Sequence, residues 1–169
     1  MPPLQQQGIV MIEEQPALVI LGWREWLSLP GLGIDRIKAK IDTGARTSAL
    51  HAFYVEPYRS DGRDWVKFGI HPVQRNKAIA VECRAEVKDR RIVTDSGGHR
   101  EDRYVIETEL LIGSIKWRAE ITLTDRDTMN FRMLLGRTAL KNRFLVDSGT
   151  SYRIGKKPRP GRSRSKSSL

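Results

Sequence analysis

The chain has 169 residues and a formal net charge of +10 at pH 7, with 39% hydrophobic and 30% charged residues. This composition predicts one soluble globular domain with a core of useful size. We find no apolar run near the ~20 residues of a membrane span, and we expect no secretory signal at the N-terminus. Since Cys83 is the single cysteine, no internal disulfide can form, which favours a cytoplasmic protein with Cys83 buried in a strand.

The positive charge is concentrated at the C-terminus. Residues 155–169 contain no acid and hold six of the ten excess charges: Lys156, Lys157, Arg159, Arg162, Arg164 and Lys166. We predict a disordered basic tail over 155–169, a disordered N-terminus over 1–16, and one domain over 17–154. Weak contact between the tail and a polyanion is one interpretation, and a solvated terminus without a specific role is the other.

Hydrophobic alternation of period two predicts most of the secondary structure in chain order. It is weak from Leu18 to Gly22 and clearer over three further segments: Ile37–Ile41, Asp64–Ile70 and Ala78–Val87. Tyr104–Leu123 is the clearest case, because two alternating runs flank Gly113-Ser114, a two-residue hairpin signal. The second run places Trp117 and Ile121 on one face and charged side chains on the other, as in a half-buried antiparallel strand.

Helical signal is scarce, and the one candidate is a short helix over about Thr138–Asn142. Many short strands with frequent glycine turns favour an all-β barrel or sandwich. The sequence KAKIDTGARTSALHA places Asp42-Thr43-Gly44 directly after the strand that ends at Ile41. Asp and Gly are common turn residues, so a lone match is more often structural than catalytic.

A second segment makes this motif more informative. The run FRMLLGR, residues 131–137, predicts an apolar strand that stops at Gly136-Arg137 before the short helix. An Asp-Thr-Gly-Ala loop with such a late strand resembles the retropepsin-like aspartic proteases, in which these two segments pack together beneath the active site. Longer runs, GWREW, RRIVTDSGGHREDRYVIETELLIG and TDRDTMNFRMLLGR, are similar to one bacterial branch of that fold, the RimB type, also named ATP-dependent zinc proteases.

The resemblance covers about Gly22 to Tyr152, and it implies an all-β, single-lobe retropepsin-like closed barrel with one short C-terminal helix. In aspartic proteases two carboxylates share one proton and activate a water molecule. The resemblance therefore implies that Asp42 is catalytic, that Thr43 braces the opposing loop, and that Gly44 allows the tight turn. One motif supplies one carboxylate, so a chain of this size needs a homodimer with Asp42 at the two-fold axis.

A rival second carboxylate is Asp147, in the run FLVDSGT, which resembles the second Asp loop of two-lobed pepsins. The alternative interpretation is a final strand that ends in a turn. A zinc protease would need closely spaced ligands such as H-E-x-x-H, whereas His51, His71 and His99 are each alone. The sequence also lacks a Gly-rich Lys-Ser/Thr loop for ATP phosphates, so we expect neither a metal nor another cofactor.

Cations crowd the Asp-Thr-Gly motif, although retroviral relatives tend to have acidic residues just after it. Cations close to a carboxylate favour its ionised form and attract acidic peptides, so we expect activity near neutral pH. The charged segment Glu86–Arg103, with a Gly-Gly tip, suits either a flap over the cleft or an exposed loop. The motif and the resemblance together give these candidate substrate contacts: Lys40, Arg46, His51, Arg91, Ser96, Arg103 and Arg137.

The function implied by the resemblance is an aspartic peptidase that acts on acidic, glutamate-rich peptides. The expected substrate is the oligoglutamate extension of a ribosomal protein, because such proteins are linked with ATP-dependent ligases that attach glutamates to a ribosomal protein tail. Two alternatives remain: a non-catalytic β-barrel module associated with the ribosome or RNA, and a true zinc metalloprotease. The aromatic signature of common RNA-binding modules is missing from the sequence.

Overall fold

A computed structural model describes residues 17–73, 76–125 and 130–155. The predictions for 1–16 and for the basic tail from Lys156 onward lie outside these ranges. Within them the chain forms β-strands, a 3-10 turn at Pro30–Leu32 and an α-helix, α1, at Arg137–Leu140. The strands are β1 Val19–Gly22, β2 Arg24–Leu29, β3 Ile34–Ile41, β4 Ser48–His51, β5 Tyr54–Ser60, β6 Arg63–Ile70, β7 Val81–Glu86, β8 Asp89–Thr94, β9 Arg100–Ile112, β10 Ile115–Thr124, β11 Met133–Leu135 and β12 Phe144–Asp147.

Six strands close into a barrel. Hydrogen bonding runs in the order β10-β4-β11-β3-β2-β9, and β9 pairs again with β10, so the ring has no open edge. Strand β8 extends the sheet beyond β9, β5-β6-β7 form a separate three-stranded sheet, and β1 pairs in parallel with β12. This architecture confirms the predicted all-β, single-lobe closed barrel with one short helix.

The core lies inside the barrel and beneath the three-stranded sheet. Strand β10 shows how the pattern produces it: Trp117 is buried while its neighbours Lys116 and Arg118 are exposed, as the alternation predicts. From Ile121 to Thr124 every side chain is buried, because here β10 pairs with β4 on one side while its other edge still faces β9. The alternation thus ends where the strand becomes central in the sheet.

Several element boundaries differ from the sequence predictions. Strand β7 begins at Val81 rather than Ala78, β3 begins at Ile34 rather than Ile37, and α1 begins one residue before the predicted helix. Cys83 is buried in β7 as expected, and burial raises the pKa of its thiol to about 12. Within the described ranges no helix combines the length and apolarity required to cross a membrane.

A buried carboxylate anchors the end of the described chain. Glu25 is fully buried and accepts backbone N–H hydrogen bonds from Gly22, Arg153 and Gly155 at 2.9–3.1 Å. The carbonyl of Gly155 accepts the N–H of Trp26 at 2.9 Å. The sequence predicts Gly155 as the start of the basic tail; in the structure it is buried, and Glu25 and Trp26 satisfy its backbone.

Candidate active site

The Asp-Thr-Gly loop leaves the barrel where an early strand meets a late one. Strand β11 lies between β3, to which it is parallel, and β4, to which it is antiparallel. Leu135 pairs with Ile41, and the N–H of Asp42 donates to the carbonyl of Leu135 at 2.8 Å. The late strand therefore fixes the position at which Asp42 emerges from β3.

The turn itself orients the Asp42 side chain. The N–H of Gly44 donates to Oδ1 of Asp42 at 3.0 Å, and the N–H of Ala45 donates to the Asp42 carbonyl at 3.3 Å. A Cβ at position 44 would lie 3.2 Å from the same Oδ1. Glycine thus leaves room for the carboxylate, and the side chain of Asp42 stays partly exposed with one oxygen held by the loop.

The Gly136-Arg137 segment supports the loop from behind. The backbone N–H of Arg137 donates to the Ala45 carbonyl at 2.8 Å, and its Nη1 donates to the Thr43 carbonyl at 3.0 Å. The N–H of Gly136 donates to Oγ of Ser48 at 3.1 Å. A Cβ at Gly136 would meet backbone atoms of Thr47 at 2.6 Å, so only glycine allows this approach. The structure places Arg137 as a brace of the loop.

A buried polar network runs from β9 across β10 to the start of β4, just after this loop. Arg103, 8% exposed, donates from Nη1 to Oγ1 of Thr122 at 3.3 Å, and that hydroxyl donates to the Ser48 carbonyl at 2.9 Å. The Nε of Arg103 pairs with Glu101 at 2.8 Å. Burial acts to raise the pKa of Glu101, but hydrogen bonds from Thr124, Arg103 and Asp125 together lower it. Glu101 is therefore held ionised beside Arg103.

The predicted flap segment forms a hairpin of β8 and β9. At its tip the N–H of Asp95 donates to the His99 carbonyl at 2.9 Å, and Oδ1 of Asp95 accepts the N–H of His99 at 2.9 Å. Ser96 lies within this exposed tip. Arg91, on β8, pairs with Asp89 and with Glu120 at 2.8 Å, so its guanidinium is already engaged by acids.

The structure separates the remaining predicted contacts. Lys40 and Arg46 are exposed on either side of Asp42. His51 is 3% exposed and lies at the far end of β4, where its N–H donates to the Arg132 carbonyl at 2.9 Å. Because Arg132 is three residue steps before Leu135, His51 is ~10 Å from the loop along the strand direction. In the sequence His51 is close to Asp42, but an extended strand separates residues by ~3.3 Å at each step.

Asp147, the rival carboxylate, sits in a turn much like that of Asp42. Its Oδ1 accepts the N–H of Gly149 at 2.9 Å, and its Oδ2 lies 3.6 Å from Nη1 of Arg153. The preceding strand, β12, pairs with β1 outside the closed barrel. Both motifs form the same local turn, but of the two carboxylates only Asp42 follows a strand of the barrel.

The three histidines lie on different elements, although His51 and His71 line one cavity. His51 is on β4, His99 is at the hairpin tip, and the His71 ring stacks on Phe53 with centroids 4.1 Å apart. Among the residues that the structure describes, no group of three or more His, Cys, Asp or Glu side chains is arranged to hold a metal. This donor arrangement does not resemble a zinc protease centre.

A closed six-stranded barrel with an Asp-Thr-Gly loop supported by a late Leu-Leu-Gly-Arg strand defines the class of retropepsin-like proteins. A family model described as "RimB-like: Retropepsin-like aspartic endopeptidase RimB" matches residues 20–157. The chain belongs to this RimB-like family. The predicted resemblance is confirmed over nearly the whole of the described domain.

Curated relatives contain this domain within longer chains. A "Probable alpha-L-glutamate ligase" from Shewanella pealeana is 45% identical over 138 residues, which are 82% of this chain and 30% of that protein. A protein of the same name from Desulfotalea psychrophila is 43% identical over 136 residues, 80% of this chain and 29% of its own. This chain thus spans about 30% of the length of these relatives.

A solved structure supports the fold. The crystal structure of a Legionella pneumophila protein of unknown function has a TM-score of 0.64 to this chain at 23% identity. The match covers 81% of this chain and 98% of that one. At this identity the likeness concerns the fold alone.

Proposed function

We propose that this protein is an aspartic-type peptidase that shortens acidic, glutamate-rich peptide tails. The observation that carries the proposal is the position of Asp42: partly exposed, at the mouth of a closed barrel, and held by Leu135, Gly44 and the Arg137 brace. A rigid carboxylate open to solvent is what activation of a water molecule requires. The family description, a retropepsin-like aspartic endopeptidase, supports the same reaction class.

The mechanism needs a second carboxylate, which Asp42 of a second copy would provide. Two carboxyl groups that meet at a two-fold axis share one proton, because both cannot ionise easily at that separation. The ionised carboxylate takes a proton from water as the water oxygen attacks the peptide carbonyl carbon, and the protonated carboxyl gives its proton to the carbonyl oxygen. Proton transfer to the peptide nitrogen then breaks the C–N bond and releases two peptides.

The β1–β12 pair supports a dimer of this kind. It is a two-stranded parallel sheet outside the barrel ring, and its apolar side chains Leu18, Ile20 and Leu145 are 44%, 40% and 53% exposed. Ile20 and Leu145 are partners in the register, so they mark one apolar stretch. Apolar side chains exposed on a two-stranded sheet favour burial against a second copy.

Charge around the loop supports an acidic substrate. Lys40 and Arg46 are exposed and lie two and four residues from Asp42 along the chain, and for neither does the described part of the chain supply a salt bridge. Exposed cations beside a carboxylate attract negatively charged peptides. The relatives named as alpha-L-glutamate ligases carry a similar domain, which favours glutamate as the shared substrate chemistry. We therefore propose the oligoglutamate extension of a ribosomal protein as the natural substrate.

The direct experiment incubates purified protein with a free oligoglutamate peptide, without ATP or added metal, and follows the products by mass spectrometry. An oligoglutamine peptide of equal length is the matched control, because it keeps side-chain size and removes charge. We expect shortened oligoglutamate and intact oligoglutamine. Tight binding of both without cleavage would instead indicate the alternative, a non-catalytic binding module.

A further inference from the structure

A second polar site lies at the far end of β4 and β11 from the Asp42 loop. It is a cavity of about 180 Å³. This volume suits one side chain or a small anion rather than a nucleotide. The residues that line it are His51, Phe53, His71, Lys77, Asp125 and Arg132.

Arg132 is the residue that most requires a ligand. Its Nη1 lies 3.4 Å from Nδ1 of His51, and its carbonyl accepts the N–H of His51 at 2.9 Å. Its Nε is buried and has no hydrogen-bond partner among the residues that the structure describes. A buried donor without an acceptor is costly, and the guanidinium fork matches the two oxygens of a carboxylate.

Phe53 and His71, on the other walls of the cavity, are held in place by contacts of their own. Phe53 stacks on the His71 ring with an interplanar angle of 14°, and Nδ1 of His71 lies 3.1 Å from the Ile79 carbonyl. Since a carbonyl only accepts, Nδ1 carries the proton and the ring orientation is fixed. Lys77 is exposed at the rim and adds a mobile positive charge.

Among the described residues, the cavity is lined by one acid, Asp125. Asp125 hydrogen-bonds to Glu101, and this contact, with burial and the negative charge of Glu101, raises the pKa of the Asp125 carboxyl. Glu101 is in turn paired with Arg103 at 2.8 Å, outside the cavity lining. In the described part of the chain, the cavity is lined by two cations, Arg132 and Lys77, and by one acid, Asp125. It therefore favours an anion.

We propose that this cavity binds a carboxylate group, with Arg132 as its principal ligand, and that in the working enzyme it holds a glutamate side chain of the peptide substrate. The assignment to substrate rests on the proposed function. Along β11 the cavity lies ~10 Å from Asp42, which is the span of about three residues of an extended peptide. The cavity is then a specificity subsite about three residues away from the bond that is cleaved.

The test is a binding measurement that does not depend on cleavage. A fluorescently labelled hexaglutamate peptide is titrated into the full chain carrying Asp42→Asn, alone and combined with Arg132→Gln, Arg132→Lys or Lys77→Gln. Arg84→Gln is the matched control, because Arg84 is an exposed arginine on β7 that does not line this cavity. We expect at least tenfold weaker binding with Arg132→Gln, partial recovery with Arg132→Lys, a two- to threefold loss with Lys77→Gln, and no change with Arg84→Gln.

Free glutamate serves as the second probe, since a small free carboxylate has the same chemistry as the peptide side chain. Its effect on the melting temperature is measured in the chain with Arg132 and in the Arg132→Gln variant. Weaker binding of both probes in Arg132→Gln supports the subsite. Unchanged hexaglutamate affinity in Arg132→Gln overturns it, whether or not free glutamate still binds. If Arg132→Gln does not fold, equal affinities in the Lys77→Gln and Arg84→Gln variants overturn it. Neither measurement requires cleavage. A protein without peptidase activity would therefore not by itself produce a result that contradicts the subsite.

Discussion

The backbone N–H of Asp42 donates a 2.8 Å hydrogen bond to the carbonyl of Leu135. This bond ties an early loop to the last strand of the barrel. The two residues that follow this strand, Gly136 and Arg137, bond to Ser48 just after the loop and to Thr43 within it. The geometry of the Asp42 carboxylate therefore depends on closure of the whole barrel. Substitutions behind the loop should affect the site as strongly as substitutions within it.

Gly136→Ala tests this dependence. Its Cβ would lie 2.6 Å from backbone atoms of Thr47, which cannot rotate away as a side chain could. We expect a loss of ~1–3 kcal/mol in the free energy of unfolding, as for other overpacking changes, together with loss of cleavage. Urea denaturation measures the change in the free energy of unfolding. Gly149→Ala is the control, because a Cβ at that position makes only an ordinary contact at 3.4 Å. Equal stability of the two variants would contradict the account.

Glu25→Gln tests the anchor of the C-terminal segment. The buried carboxylate accepts N–H groups from Gly22, Arg153 and Gly155, whereas an amide has one acceptor oxygen and would point its NH₂ at a donor. Hydrogen bonds to a buried charge contribute ~1.5–3 kcal/mol each, so we expect a loss of about 3 kcal/mol in the free energy of unfolding. The exposed Glu56→Gln is the control, with a change below ~1 kcal/mol. A similar small change for Glu25→Gln in urea denaturation would show that the anchor is unimportant.

Arg46→Ala tests the basic rim beside Asp42. If Arg46 contacts an acidic peptide, its loss should weaken binding by ~1–3 kcal/mol. Affinity should also fall with added salt, because the Debye length shrinks from ~10 Å at 0.1 M to ~3 Å at 1 M. Titrations of hexaglutamate at both salt concentrations measure the two effects. Salt-independent binding, or equal affinity for an oligoglutamine peptide, would place recognition elsewhere.

Chelators should leave the protein unaffected. Of the described histidines, His51 and His71 line one cavity and His99 lies apart at the hairpin tip, and no described group of His, Cys, Asp or Glu side chains is arranged to hold a metal. EDTA or phenanthroline should therefore change neither the cleavage rate nor the melting temperature, since a bound structural or catalytic metal would contribute to both. Inhibition by a chelator that is reversed by zinc would support a metalloprotease.

The sequence predicts the parts of the fold that local patterns encode. The Gly113-Ser114 turn, the alternation in β10 and the Asp-Thr-Gly and Leu-Leu-Gly-Arg motifs all depend on neighbouring residues, and the structure has them where they were expected. The closed barrel was predicted through the family resemblance. Closure itself depends on pairing between strands distant in sequence, such as β11 with β3, which no local period reveals.

The misses have physical reasons. Strand β4 is buried on both faces and short, so it shows no alternation, and β5 contains Pro57, which weakens a strand pattern. The sequence places His51 near Asp42, whereas β4 runs away from the loop towards Arg132; its role as a substrate contact stays a prediction. Arg132, the carboxylate ligand that we propose, is not predicted by the sequence because a lone arginine before an apolar strand carries no motif.

The most direct test of the central claim compares Asp42→Asn with the unchanged protein on free oligoglutamate, in EDTA and without ATP. Asparagine keeps the shape of the turn and can still accept the Gly44 N–H, but it cannot share a proton with a second carboxyl. We predict an unchanged melting temperature and a loss of cleavage by several orders of magnitude. Substantial cleavage by the pure Asp42→Asn protein would contradict the assignment of Asp42 as half of a catalytic pair.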